Sequence, residues 1–354
     1  MLGASERYSR MRFFYVFLRA KPCSPGPRCR REHRSRVAFP FTFPRKRSIM
    51  EAIMKALLFS GQGAQKVGMG KSLYENSALA REFYDRANAV LPFDLKQICF
   101  EGPQETLTET RVCQPALFTQ GYVIARILKE QGKLADLKCV LGLSIGELTA
   151  YAVAGVWDFE TGLKVVAERG RLMQEACDKT KGGMAAIIGG SREDVLAFCK
   201  EFDVDAANFN TPGQIVISGD ADKIAAACAK NNETKQFKRA IPLVVAGAYH
   251  SRLMEPARAE FANFLASVEF KKPEIPVFTN TTGTLIDDPA AMREALAKQV
   301  VSSVLWEDCV RGAVALGVNE TIECGPGGIL TGMVKKIAPE VAGTAVSEYS
   351  EIPA

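Results

Sequence analysis

Histidine is almost missing from this chain: 354 residues carry two, His33 and His250. Any chemistry that needs an imidazole therefore has very few places to find one. Long apolar runs are missing as well. No stretch approaches the roughly eighteen residues that mark a membrane-crossing helix, so no membrane span is expected. The ten cysteines are scattered, with no C-x-x-C pair and no Cys/His cluster at ligand spacing. That pattern excludes a disulfide framework, argues against a structural metal site, and reads as buried thiols in a reducing compartment. Neither G-x-G-x-x-G nor a Walker A loop occurs, which removes the usual dinucleotide and nucleotide cradles.

What is present is ordinary globular composition, 47% hydrophobic and 24% charged, long enough for one large domain or two modest ones. The net charge of +5 is unevenly spread. Residues 1–50 hold thirteen Lys/Arg against Glu6 and Glu32, a balance of +11, which leaves −6 on the remainder. A basic, acid-poor leader broken by Pro22, Pro25, Pro27, Pro40 and Pro44 suits either a nucleic-acid arm or an organelle transit peptide. The composition favours the transit peptide, and no nucleic-acid partner is expected.

Ordered patterning begins near Met54. Ala56 to Phe59 reads as a buried strand feeding the turn Ser60-Gly61-Gln62-Gly63. Helical patterns run over 77–90 and 114–131. Cys139-Val140-Leu141 reads as a second strand, breaking at Gly142 into a helix over 148–154. Asp158 is placed to cap the next helix, which carries Arg169 and runs to Cys177. Alternating strands and helices predict an α/β core with a parallel sheet. Residues 184–245 have another rhythm: strand 184–188, helix 192–202, strands 205–209 and 214–218, helix 222–230, strand 237–245. That βαββαβ order predicts a ferredoxin-like unit. The expected organisation is a discontinuous large domain, 51–182 with 246–345, an inserted small domain over 183–245, and a tail from 346.

Gly142-Leu143-Ser144-Ile145-Gly146 fits G-x-S-x-G between a strand and a helix, the nucleophile-elbow pattern. Such a turn stands a serine hydroxyl at the carboxyl edge of the sheet, above a helix N-terminus whose amides favour an anion. The pattern is short, and a capping serine in a glycine turn is the plain alternative. Activation of Ser144 by an imidazole requires His250, because His33 lies in the basic leader. Arg169 sits mid-helix beside Gly170. Either it is solvated or Glu-paired, or it is a buried fork for a substrate carboxylate. The Gly61-Gln62-Gly63 turn is best used as a main-chain amide donor, half of an oxyanion hole.

Taken together and in order, GQGAQ at 61–65, QPA at 114–116, GLSIGE at 142–147, RG…MQEA over 169–176, NFNTPGQIVISG at 208–219, AGAYH at 246–250 and ECGPGG at 323–328 resemble the malonyl-CoA:acyl-carrier-protein transacylase family of type II fatty-acid synthesis. The likeness covers about residues 55–336. It implies an α/β-hydrolase-like large domain with a parallel sheet core and an inserted ferredoxin-like small domain. It further implies that Ser144 is acylated, that His250 is base and acid, and that Arg169 holds the malonyl carboxylate. Gln62 and Ile145 would supply the oxyanion amides. The histidine-orienting group would be the main-chain carbonyl of Leu305, beside Trp306. Malonyl-CoA and acyl carrier protein would be the partners, with no metal or redox cofactor, and a monomer is expected. Three departures stand out: Leu143 where the pattern commonly reads GHSxGE, Tyr249 where it reads GAFH, and Leu305 where Gln or Arg is usual. GLSxGE resembles plant and algal members, so with the leader it points to a plastid, with the mitochondrion as the alternative. A serine esterase or thioesterase is the rival enzyme, needing an acid such as Asp203, Asp205 or Asp220. An inactive docking protein is the rival outside enzymes.

Overall fold

The structure is a computed structural model that describes residues 52–353; the transit-peptide reading lies outside the described residues. The apolar run β1, Lys55–Phe59, is buried from Ala56 onward, as a strand covered on both faces requires. β1 lies between β2, Leu137–Gly142, and β7, Glu320–Cys324, and β8, Ala342–Val346, closes the order β2-β1-β7-β8 with every pairing parallel. Phe59 pairs with both Gly142 and Cys324, so β1, β2 and β7 end at one level. The turns after them, Gly61-Gln62-Gly63, Leu143-Ser144 and Gly325-Pro326-Gly327, therefore converge on the carboxyl edge of the sheet, where ligands bind in open α/β sheets.

Helices cover this sheet. The longest two, Thr110–Glu130 and Phe159–Lys179, pack closely against each other. Asp158 caps the second by accepting from Thr161 N–H. Gly170 makes the close approach possible: a Cβ there would lie 2.9 Å from the Thr110 carbonyl oxygen. The first helix begins at Thr110, earlier than the sequence pattern suggested, with Pro115 inside it, so Gln114 points from helix into site.

The second sheet is antiparallel, with order β4-β5-β3-β6 for β3 Gly182–Ile188, β4 Asp205–Thr211, β5 Gln214–Asp220 and β6 Arg239–Pro242. With the helices Arg192–Phe202 and Ala221–Thr234 this is the predicted ferredoxin-like arrangement. Its period-two pattern decides its packing. Ala185 and Ile187 face Phe198, Ile217 and Ile224 in the sheet's own core, whereas Met184 and Ala186 join the core of the parallel sheet. Val304 adds a parallel bridge to Asn208, which ties β4 to the chain beyond the insertion. Strand β6 is shorter than the apolar pattern over 237–245; past its end Leu243 N–H still donates to the Met184 carbonyl at 2.9 Å, and residues 241–246 are exposed. Residues 347–353 lie against the core: Gln120 Nε2 donates to the Ser347 carbonyl at 2.9 Å, and Tyr349 N–H to Ser72 Oγ at 3.1 Å.

Candidate active site

Ser144 occupies the step between β2 and the helix Ile145–Val153, with φ 55° and ψ −107°. A positive φ is unusual for a serine and stores strain that the surroundings must hold. The flanking glycines make the turn possible. A Cβ on Gly142 would lie 1.9 Å from the Gly146 carbonyl carbon, and one on Gly146 would lie 2.1 Å from the Phe59 carbonyl oxygen. Asn280 clamps the step: Ser144 N–H donates to its Oδ1 at 2.7 Å, and its Nδ2 donates to the Gly142 carbonyl at 2.8 Å. The serine side chain makes no capping bond, which leaves Oγ free to face the cavity.

His250 Nε2 lies 2.7 Å from Ser144 Oγ, and Nδ1 lies 2.9 Å from the Gln299 carbonyl oxygen. A carbonyl only accepts, so Nδ1 carries the hydrogen and Nε2 presents its lone pair to the serine. Burial, with the nearby Arg169 charge, holds the imidazole down to about 4, so it rests neutral. The orienting carbonyl is thus Gln299 and not Leu305. Gln299 ends the helix Pro289–Gln299, where last-turn carbonyls lack helical partners. The Leu305 carbonyl instead accepts Cys309 N–H of its own helix at 3.0 Å. No triad acid replaces it. Asp203 and Asp205 pair with Arg252, and Asp220 caps the helix Ala221–Thr234.

Arg169 is 1% exposed, and among the described residues no carboxylate pairs with it. The adjacent Glu168 pairs with Arg171 instead. Nη1 donates to Gln114 Oε1 at 2.7 Å, and Nη2 to Gln299 Oε1 at 2.7 Å and Ser144 Oγ at 3.1 Å. Nε has no partner. Burial lowers the guanidinium to about 10, still a cation at neutral pH. Gln299 also donates through Nε2 to Glu147 Oε2 at 2.6 Å, which fixes its amide so that the oxygen faces Arg169. Glu147 is fully buried, accepts further from Tyr151 Oη and Asn280 N–H, and is pushed up to about 7 by burial.

The site opens into a cavity of about 400 Å³ between the two sheets, lined by Gln62, Gln114, Ser144, Tyr249 and His250, with Val244, Ile329 and Met333 among the apolar wall. Gly61 packs against the elbow, since a Cβ there would lie 2.6 Å from Leu143 Cδ2. Among the described residues, the main-chain N–H groups of Gln62 and Ile145 have no acceptor. Ser144, His250, Arg169, Gln62 and Ile145 are thus brought together, while Gln114, Asn280 and Gln299 complete a site that the sequence reading had not included. Gln114 was within reach, in the QPA motif. No group of three or more His, Cys, Asp or Glu among the described residues could hold a metal ion.

A strained serine on a strand–helix elbow, beside a neutral imidazole, is machinery for moving an acyl group. The chain belongs to the acyl transferase domain family, whose model matches residues 56–349. It is 38% identical over 304 residues to the malonyl CoA-acyl carrier protein transacylase of Bacillus subtilis, 84% of this chain and 94% of that protein. The crystal structure of an acyl carrier protein S-malonyltransferase from Vibrio cholerae is similar at TM-score 0.81 and 39% identity, over 84% of this chain and 98% of that one. A malonyl-transacylase solved in complex with its type II polyketide acyl-carrier protein is similar at TM-score 0.81 and 35% identity, over 84% and 97%.

Proposed function

We propose that this acyltransferase moves a malonyl group from malonyl-CoA to the phosphopantetheine thiol of acyl carrier protein, through a malonyl ester on Ser144. The observation that carries the choice of acyl group is Arg169. It is a buried cation that no carboxylate of the described residues pairs with directly, Glu147 acting on it across the bridging Gln299, and its Nη2 stands 3.1 Å from the nucleophilic oxygen. A malonyl thioester brings a free carboxylate to that place, where a fork-shaped donor binds it through two hydrogen bonds. An acetyl group leaves the guanidinium as it is.

In the first half-reaction Ser144 Oγ attacks the thioester carbon while His250 Nε2 takes the hydroxyl proton. The amides of Gln62 and Ile145 meet the tetrahedral oxyanion. The carbon–sulfur bond breaks, the imidazolium returns its proton to the coenzyme A sulfur, and malonyl-serine remains. In the second half-reaction His250 takes the proton of the carrier thiol, the sulfur attacks the ester, and Ser144 leaves with that proton. The Gln299 carbonyl steadies the imidazolium in both. No oxidation state changes, so no redox cofactor is called for.

Incubation with labelled malonyl-CoA tests the reading. The expected result is a malonyl adduct on Ser144 that passes to carrier protein and is absent from Ser144→Ala; release of free malonate would favour a thioesterase. Arg169→Ala is expected to lose malonyl transfer by about a hundredfold or more while acetyl transfer is retained or rises. An unchanged malonyl-to-acetyl ratio removes Arg169 from carboxylate recognition. We also propose that the chain works as a monomer and that residues 1–50 direct it to a plastid. The +11 leader supports the second point; light scattering and a fluorescent fusion carrying that leader check the two.

A further inference from the structure

The residue before the catalytic histidine has a hydroxyl that the acyl-transfer chemistry above does not use. Tyr249 is 7% exposed, and its ring lines the same cavity as Ser144. Its Oη lies 2.6 Å from Thr110 Oγ1 and accepts from Gln62 Nε2 at 3.3 Å. These contacts join two parts of the site. Thr110 is the first residue of the helix that carries Gln114, the partner of Arg169, and is itself held by Gln174 Oε1 at 2.9 Å from its N–H. Gln62 is the middle residue of the Gly61-Gln62-Gly63 turn.

That turn is otherwise held at its two ends: Gly61 packs on Leu143, and Gly63 N–H donates to Gln65 Oε1 at 2.7 Å. Gly63 has φ 100° with open space where a side chain would be, and the closing bond from Ala64 N–H to the Gly61 carbonyl is long, at 3.4 Å. Neither end contact holds the Gln62 peptide itself, which can still tilt between the two glycines. An oxyanion donor is useful only if it is fixed before charge develops. The Gln62 side chain reaching Tyr249 supplies such a fastening, in a wall built of packed helix. Burial pushes the Tyr249 phenol up, so it remains a neutral hydroxyl able to accept and donate at once.

We propose that the Tyr249 hydroxyl is a positioning group for the oxyanion hole: through Gln62 Nε2 it holds the Gly61-Gln62-Gly63 turn so that the Gln62 amide faces the acyl oxygen. The proposal rests on the reading that Ser144 is acylated. Phenylalanine keeps the ring volume and removes only the tether, which makes Tyr249→Phe the informative variant.

The experiment is single-turnover malonylation of Ser144 by intact-protein mass, over a range of malonyl-CoA concentrations. Wild type is run first, with Ser144→Ala as blank; absence of a wild-type adduct defeats the acylation reading, separately from the tether. With that adduct in hand, Tyr249→Phe is expected to slow the saturated acylation step about five- to tenfold while half-saturation stays within about twofold. Gln62→Ala is expected to slow it similarly, and the double variant to be no slower than the slower single one, because both remove one link. The malonyl-to-acetyl ratio should stay unchanged in all three, since Arg169 is untouched. An acylation rate in Tyr249→Phe equal to wild type overturns the proposal, as does full additivity with Gln62→Ala. A change confined to half-saturation does so too. Thermal melting of each variant separates these outcomes from misfolding, and Thr110→Val, which cuts the tether at its far end without touching the turn, should repeat the Tyr249→Phe loss.

Discussion

At the scale of single residues, the site depends on a histidine that resists protonation. His250 is buried beside a guanidinium, and both effects hold it down to about 4 from 6.5. It therefore rests as a base across the physiological range, and protonation enters only in the transition state. With two histidines in the chain, its ring is readable by proton NMR once His33 has been removed by substitution. The expected result is a single titrating resonance with its midpoint far below 6.5. Arg169→Gln takes away a neighbouring positive charge, so the midpoint should then rise toward 6.5. A midpoint near 6.5 in the unaltered chain would show that the ring is hydrated and not held as described. The same residues mark how far the sequence could be read. Ser144 announces itself by its glycines, and His250 by the scarcity of its kind. Gln299 does not, because it orients His250 through a main-chain carbonyl, a group every residue has. That is why the resemblance pointed to Leu305, and only the folded geometry shows which carbonyl faces the ring.

At the scale of elements, the elbow is a contact between β1, β2 and the helix that follows Ser144. Gly146 runs so close to β1 that a methyl group would lie 2.1 Å from the Phe59 carbonyl oxygen. Gly146→Ala must therefore push helix from sheet and move the serine. A destabilisation of about 3 kcal/mol or more is expected, with acylation lost. Gly332→Ala is the matching control. Gly332 lies inside the helix Ile329–Ile337, with nothing within 4 Å of where its Cβ would be. The added methyl should stabilise by about 0.5–1 kcal/mol. Chemical denaturation of both variants decides the matter, and equal effects would mean that crowding at Gly146 is relieved elsewhere. Elements of this kind were legible where local chemistry fixes them: the helix Arg192–Phe202 starts at the capping box of Ser191 and Asp194. Asn280 was not legible. It clamps Ser144 from 136 residues away along the chain, and its segment has no periodicity to betray a buried role.

At the scale of the whole molecule, two buried titratable groups pull stability in opposite directions with pH. Glu147 is raised from 4.5 to about 7 by burial. Its contribution is complete below 4.5 and is lost as pH rises through about 7. His250 is depressed, so its contribution is complete above 6.5 and is lost as pH falls toward about 4. Glu147→Gln removes the first dependence. Relative to wild type it should gain stability between about pH 5 and pH 8, by on the order of 2 kcal/mol, read from urea midpoints. A difference that does not change with pH would clear Glu147 of that role. Arg169 offers a sharper test, because it is a buried cation with no direct ion pair among the described residues. Loading Ser144 with malonyl brings that cation a carboxylate, and charged hydrogen bonds are each worth about 1.5–3 kcal/mol. Loading with acetyl brings none. The malonyl-enzyme is therefore expected to melt a few degrees above both the acetyl-enzyme and the free protein. In Arg169→Gln that gap should close, since an amide gains little from the carboxylate. Scanning calorimetry on stoichiometrically acylated protein makes the comparison, with mass spectrometry confirming that the ester survives the scan. Equal melting of malonyl- and acetyl-enzyme would mean that the carboxylate points elsewhere. The selectivity would then have to come from the cavity wall and not from Arg169.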